Sequence, residues 1–223
     1  MVSVAILGAG IFAKEGKIIL HRSLVIQKPD VLNNKAYVPS LVSLGDQVIV
    51  KAVYSRSEKS SRDFTIILKS ALGQNAPDPS IYHDGDPHKS LDALLARPDI
   101  EAVFVILPIS KHPEVVLKAL AAGKHVLSEK PTAKDVATGI ELVRKYVSKY
   151  RPKGLVWRVA ENFEYEPLYQ EAGQLIRNGQ IGRVISFSAS GSNSTSKDDK
   201  YYKTDWRTVP DISCSLLAST PNC

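Results

Sequence analysis

Short apolar runs rich in β-branched residues alternate along the chain with segments whose apolar residues recur every three or four positions. The runs have the length of strands, and the periodic segments are typical of helices packed on a sheet. This alternation predicts a parallel sheet built by right-handed crossovers. The predicted strands span residues 2–7, 48–54, 102–107, 125–128 and 155–159, with a short one at Ile81 and Tyr82.

Three helices are predicted between these strands, over residues 91–96, 113–122 and 134–149, and Gly123 stands where a helix C-cap is expected. The pattern is that of a doubly wound α/β domain of the Rossmann type, ending near residue 160. After it, a helix is predicted over 167–178, a strand over 183–189 and a polar loop over 190–203. Because residues 161–223 are few, we expect an incomplete α+β domain.

The composition, 43% hydrophobic and 23% charged, is that of an ordinary globular protein. No apolar run approaches the roughly 18 residues of a membrane span, and the chain begins directly with a strand rather than a signal peptide. Two cysteines, Cys214 and Cys223, give no disulfide framework. We therefore expect a cytoplasmic protein that does not bind a membrane.

The formal net charge is +6, which raises the question of nucleic acid. The basic residues are spread along predicted helix faces, and no basic stripe with interleaved aromatic residues occurs. Nucleic acid is therefore not expected as a partner. A basic balance also suits a small ligand that carries several phosphates.

A glycine-rich turn follows the first predicted strand directly, with the sequence Gly8-Ala9-Gly10-Ile11-Phe12-Ala13. This is the G-x-G-x-x-A form of the dinucleotide fingerprint, in which the first glycine permits a tight turn and the second lets the backbone approach a pyrophosphate. The position after a buried strand favours this interpretation over a purely structural turn. Gly8, Gly10, Ile11 and Phe12 are therefore candidate cofactor contacts.

The second strand ends in Tyr54-Ser55-Arg56-Ser57, where an NAD site usually has an acidic residue that binds the ribose hydroxyls. Without the carboxylate, a 2′-phosphate is not repelled, and Arg56 can pair with it while Ser55 donates a hydrogen bond. NADP is therefore favoured over NAD. The alternative is that Arg56 is a solvated residue at the start of a helix.

Residues 119–132 read ALAAGKHVLSEKPT, and residues 107–112 before them read LPISKH. Both segments closely resemble the Gfo/Idh/MocA family, which is named in part for glucose–fructose oxidoreductase and inositol 2-dehydrogenase. The resemblance implies a nicotinamide-dependent oxidoreductase that acts on a polyol, a sugar or a related carbonyl compound. It extends over most of residues 1–210, apart from an insertion.

The resemblance also implies roles for single residues. Leu107, Pro108 and His112 would line the nicotinamide ribose, and Glu129 and Lys130 would lie beside the nicotinamide. Lys130 would be the catalytic residue that polarises the substrate oxygen, a role that suits a lysine packed near a cofactor ring. The alternative is a lysine that merely extends from a strand end to solvent.

Three further residues follow from the same resemblance. Asn162 and Tyr165 lie where family members pass into the substrate domain, and they either face the substrate pocket or belong to the core. Arg207 lies in a loop, residues 203–207, that resembles one closing over the nicotinamide, and it is a candidate contact to the cofactor's anionic groups. No metal site is expected.

Two places depart from the family pattern. Gly8 and Ser55 are 47 positions apart, where about 20 to 25 suffice, and removal of residues 16–35 restores the usual spacing. That segment is either a surface insertion or translated non-coding sequence. The other departure follows residue 210, where the family continues into a substrate-domain helix that carries a catalytic histidine, so we expect a C-terminally truncated chain with impaired catalysis.

Two functions remain open. The first is an NADP-dependent oxidoreductase with a small-molecule substrate, which in the full-length family form pairs as a homodimer. The second is a non-catalytic dinucleotide-binding regulator that resembles galactose-pathway repressors. The E-K-P lysine favours the enzyme, and the missing histidine favours the regulator.

Overall fold

A six-stranded parallel sheet forms the centre of the computed structural model, which describes residues 1–10, 37–73, 76–188 and 190. The strands are β1 Val2–Leu7, β2 Val48–Ser55, β3 Ser80–His83, β4 Ala102–Val105, β5 His125–Ser128 and β6 Trp157–Val159. Their order in the sheet is β3-β2-β1-β4-β5-β6, which is that of the doubly wound dinucleotide-binding fold, so the predicted fold class is confirmed.

The described helices are α1 Tyr37–Leu44, α2 Glu58–Leu72, α3 Leu91–Leu95, α4 His112–Ala121, α5 Val136–Lys145 and α6 Pro167–Arg177. The sequence pattern predicted four of them, α3 to α6, and missed α1 and α2. The predicted helix 134–149 begins later, because Asp135 caps α5 by accepting the Thr138 N–H at 2.7 Å, and continues beyond Lys145 as a π-helical turn, Tyr146–Tyr150.

Two buried layers form the core, one on each face of the sheet. Leu94, Val116, Ala119 and Leu142 belong to the first layer, on the side of α4 and α5. The second layer, on the side of α1 and α2, contains residues of both helices and of the strands: Tyr37, Leu41, Phe64, Leu68, Ile6 and Phe104. Helices on both faces explain why the central strands are mostly apolar rather than alternating between apolar and polar residues.

Lys124 ties the end of α4 to the turn that precedes β4. Gly123 ends the helix with φ 76°, in the left-handed region expected at this C-cap. The next residue is buried, and its Nζ donates to the carbonyl oxygens of Arg97 at 2.5 Å and Ile100 at 2.8 Å. Burial lowers the pKa of Lys124, and the two carbonyl oxygens supply the partners that a buried ammonium requires.

The chain divides into two compact units, Met1–Asn162 and Phe163–Cys223. The second unit begins with a short 3₁₀ turn, Phe163–Tyr165, followed by α6. The strand predicted over 183–189 is wrong for the described residues 183–188, which are exposed and form no strand. In the part of this unit that the structure describes, no strand is present with which these residues could pair.

Three of the predicted features lie outside the described residues: the proposed insertion 16–35, most of the polar loop 190–203 and the segment 203–207. Among the helices that the structure describes, none is long and apolar enough to cross a membrane.

Gly8→Ala should destabilise the fold strongly. Gly8 has φ 117°, and a Cβ at this position would lie 2.0 Å from the carbonyl oxygen of Ile106. Backbone strain and a backbone clash together should cost more than about 3 kcal/mol, or roughly 6 to 12 °C in Tm. Gly10→Ala is the matched control, because no described atom lies within 4 Å of its Cβ position. Equal melting temperatures for both variants would contradict this account.

Candidate dinucleotide site

The carboxyl ends of the strands form one edge of the sheet, and most of the predicted site residues lie along it. The strand order reverses between β1 and β4: the strands that follow β1 in sequence, β2 and β3, lie on one side of this point, and those that follow β4, β5 and β6, lie on the other. A crevice outside the carboxyl ends at such a point is where open α/β sheets bind ligands. Gly8 follows β1, Ser55 ends β2, and Glu129 follows β5.

The Gly8 turn lies between the ends of two neighbouring strands. Its N–H donates to the Tyr54 carbonyl oxygen of β2 at 2.8 Å, and its α-carbon packs against Ile106 after β4. Gly10 is exposed, and in the described part of the chain nothing lies within 4 Å of its Cβ position. The turn therefore presents open backbone at the crevice, as a diphosphate requires. Ile11 and Phe12 lie outside the described residues.

The end of β2 leads directly into a capped helix. Ser57 is the N-cap of α2, and its Oγ accepts the Ser60 N–H at 3.3 Å. Ser55 is half-buried, and the Arg56 side chain is exposed between strand and helix. Because α2 is a 15-residue helix, its N-terminus adds a positive dipole end to the Arg56 charge.

The loop after β4 places Leu107 and Pro108 at the crevice but holds His112 behind it. His112 is 1% exposed, and its Nδ1 and Nε2 face the carbonyl oxygens of Pro131 at 3.0 Å and Leu107 at 2.8 Å. The role of His112 at the nicotinamide ribose stays a prediction. Its ring joins the β4 loop to the turn after β5, and burial lowers its pKa.

Glu129 lies between the end of β5 and Lys130, and its position beside the nicotinamide stays a prediction. Its side chain is buried, and Oε1 accepts the Tyr37 hydroxyl at 2.6 Å while Oε2 accepts the Lys130 backbone N–H at 3.1 Å. The carboxylate therefore supports the turn from inside rather than facing the crevice. Sequence reasoning missed Tyr37, because nothing in its local pattern indicates a partner 92 positions away.

Burial is the main influence on this pair. It raises the pKa of Glu129, and the hydrogen bonds from Tyr37 and Lys130 oppose the rise in part. Burial and the adjacent carboxylate also raise the pKa of Tyr37 well above its usual value. The hydroxyl therefore keeps its proton and remains the donor of this hydrogen bond.

Lys130 follows Glu129 at the carboxyl edge of the sheet, and its peptide bond with Pro131 is cis. Its side chain is 23% exposed, and Nζ lies 3.6 Å from Oε1 of Glu161, which follows β6. A partly buried ammonium paired with a carboxylate is held at the strand ends rather than extended freely into solvent. Glu161 is the second site residue to which the sequence pattern assigned no role.

The remaining candidates occupy different parts of the chain. Asn162 is buried at the end of the first unit, and Tyr165 is half-buried in the 3₁₀ turn of the second. Arg207 lies outside the described residues. Contacts of these three residues with a substrate or cofactor stay predictions.

A crevice at the reversal of strand order, a glycine turn after β1 and the E-K-P segment after β5 together define a dinucleotide-binding fold of the Rossmann class. The chain belongs to the Gfo/Idh/MocA family, described as an oxidoreductase family with an NAD-binding Rossmann fold, whose profile matches residues 2–152. The family inferred from the E-K-P segment is confirmed.

Known proteins show similarity over much of the chain. Dehydrogenase FPY6 of Fusarium mangiferae is 38% identical over 221 residues, which are 97% of this chain and 54% of that protein. The crystal structure of an oxidoreductase from Thermotoga maritima matches with a TM-score of 0.70 and 26% identity, over 98% of this chain and 56% of that one.

A mutant of KijD10, a 3-ketoreductase from Actinomadura kijaniata crystallised with TDP-benzene and NADP, matches with a TM-score of 0.55 and 26% identity. The match covers 82% of this chain and 44% of that one. The chain thus spans about half the length of the relatives that it resembles along nearly its whole length.

Stability should depend on pH through Glu129. Because its pKa is raised in the folded chain, folding favours the protonated form, so stability is lost as the pH rises from the usual pKa of 4.5 through the folded value. Glu129→Gln removes this titration. The stability of the parent, relative to this variant, should therefore fall as the pH rises above 4.5, and the fall in Tm with pH measures it.

The matched control is Glu171→Gln, which changes an exposed glutamate of α6. Its Tm difference from the parent should be nearly the same at all pH values. A pH-independent difference between the parent and Glu129→Gln would show that Glu129 titrates normally in the fold.

Proposed function

We propose that this chain binds NADP at the carboxyl edge of the sheet and uses Lys130 in hydride transfer to or from a polyol, sugar or related carbonyl compound. The observation that carries the proposal is the position of Lys130, at the end of β5 beside the crevice and paired with Glu161 at 3.6 Å. The nicotinamide, when bound, donates or accepts the hydride. Leu107 and Pro108 would contact its ribose.

The residues present fit a dinucleotide. Gly10 leaves open backbone where the pyrophosphate would approach, and Gly8 brings the turn close to the strand ends. Ile11, Phe12 and Arg207 are proposed as further contacts. The Glu129 carboxylate and the His112 ring, which are buried, would support the nicotinamide end of the site without facing the cofactor.

The preference for NADP over NAD rests on Arg56. The exposed guanidinium stands where an acidic residue would bind an unphosphorylated ribose, and the N-terminus of α2 lies next to it. A 2′-phosphate would therefore meet an arginine, a serine at position 55 and a positive helix end. KijD10, which is similar in fold and sequence, was crystallised with NADP.

Lys130 would act on the substrate oxygen. In carbonyl reduction, as hydride reaches the carbonyl carbon, the Lys130 ammonium would donate a hydrogen bond to the oxygen on which negative charge develops. Glu161 would keep that ammonium directed, and a proton from solvent would complete the alcohol. The substrate class follows from the family and from the ketoreductase among its members. Asn162 and Tyr165 are proposed to face the substrate, which is a small molecule.

Arg56→Asp should reverse the cofactor preference. The variant should bind NADPH about 100-fold more weakly, because a charge-assisted contact is replaced by repulsion, and NADH with nearly unchanged affinity. Titration of nicotinamide fluorescence measures both. Arg151→Asp, which changes an exposed arginine beyond α5, is the charge-matched control. Equal affinities of the parent for NADPH and NADH would contradict the assigned role of Arg56.

Gly10→Val should abolish binding of both dinucleotides, because a side chain at this position would occupy the space of the pyrophosphate. Normal binding by this variant would contradict the proposed site at the glycine turn.

Lys130→Ala should abolish turnover but retain the cofactor. With a panel of inositols, aldoses and keto sugars, we expect a loss of at least about 100-fold in rate and an NADPH affinity within a few-fold of the parent. Lys134→Ala, four residues away and exposed, should leave both unchanged. Turnover that is insensitive to Lys130→Ala would contradict the role. Because no histidine follows His125 to serve as a proton donor, we expect low turnover by the parent, and a low rate that depends on Lys130 supports the role. NADPH binding with no detectable turnover on any panel member would favour the non-catalytic regulator.

A further inference from the structure

We propose that Tyr37 is a positioning residue for Lys130, acting through the carboxylate of Glu129. This inference rests on the proposed role of Lys130. It concerns a residue that lies outside the E-K-P motif and 92 positions before Glu129. It is argued from the contacts of the Tyr37, Glu129 and His112 side chains.

Lys130 lies beyond the end of β5, where sheet hydrogen bonds no longer fix the backbone. The Glu129 N–H still donates to the Val105 carbonyl oxygen of β4 at 3.0 Å. The next N–H, that of Lys130, donates instead to the Glu129 side chain at 3.1 Å. The orientation of the Lys130 backbone therefore depends on where that carboxylate lies.

The carboxylate is oriented in turn by Tyr37. It is buried, so a change of rotamer that abandons the 2.6 Å hydrogen bond would leave a buried polar group unsatisfied. The Tyr37 ring is itself fixed, since it is 1% exposed and packs against Phe104 of β4 with centroids 6.1 Å apart. A rigid donor from the helix layer thus sets the position of the turn.

A second anchor holds the other side of the turn. His112 contacts the carbonyl oxygen of Pro131, directly after Lys130, at 3.0 Å. Removal of the Tyr37 hydroxyl therefore leaves the turn attached at one side. We expect a local displacement of Lys130 rather than loss of the fold.

The test is Tyr37→Phe in the full chain, with two measurements. The first is amide hydrogen exchange by NMR, in which Lys130 should exchange at least about tenfold faster while Val126 and Leu127 in β5 keep the rates of the parent. The second compares affinities for NADPH and for 2′-phospho-ADP-ribose, which lacks the nicotinamide. The variant should lose about tenfold for NADPH and nothing for the fragment.

Tyr146→Phe is the matched control, since it removes another tyrosine hydroxyl of the core region, one that donates to Leu155 O at 3.2 Å. It should alter neither measurement. A double-mutant cycle with Glu129→Ala, which removes the acceptor of the Tyr37 hydroxyl, distinguishes positioning from packing. If Tyr37 acts through Glu129, Tyr37→Phe has little further effect on the affinity ratio in that background.

Equal effects of Tyr37→Phe in both backgrounds, or unchanged exchange at Lys130, would overturn the inference. If the parent binds neither NADPH nor the fragment, the proposed function fails instead. The exchange measurement needs no cofactor, so the two failures are distinguishable.

Discussion

The close approach of β1 and β4 at their carboxyl ends is the constraint on which the rest of the structure depends. Gly8 packs against the backbone of Ile106 with no room for a side chain. This contact fixes the point where the strand order reverses, and hence where a crevice opens between helices on opposite faces of the sheet. The glycine turn, the β4 loop and the turn that carries Lys130 all take their positions from it.

The sheet was predictable because parallel strands covered on both faces form apolar runs, as β4 does along its whole length and β1 from Val4 to Leu7. Helix α2 was not, because its buried positions are Ser61, Phe64 and Leu68, whereas the apolar Ile66 is exposed and blurs the period. The predicted strand 183–189 failed for another reason. Alternation indicates a surface that fits a sheet, but pairing needs a partner strand.

The candidate site was predictable where chemistry is local. A glycine turn after a buried strand and the residues Glu129-Lys130-Pro131 are recognisable without tertiary structure. The directions of side chains were not, because they depend on contacts between distant segments. His112 and Glu129 are polar residues in motif positions, yet both point inwards, towards Leu107 O and the Tyr37 hydroxyl. A motif therefore located the turn but did not distinguish residues that face a ligand from residues that support it.

The burial of the Lys124 ammonium means that the two lysines of residues 119–132 should differ in chemical reactivity. Lys124 and Lys130 are six residues apart, but the ammonium of the first donates to two carbonyl oxygens, whereas the second is partly exposed at the carboxyl edge of the sheet beside Glu161. An amine-reactive reagent should therefore acylate Lys130 in the native protein and reach Lys124 only when the α4 to β4 connection opens. Within one tryptic map, the two sites would report separately on occupation of the crevice and on local unfolding.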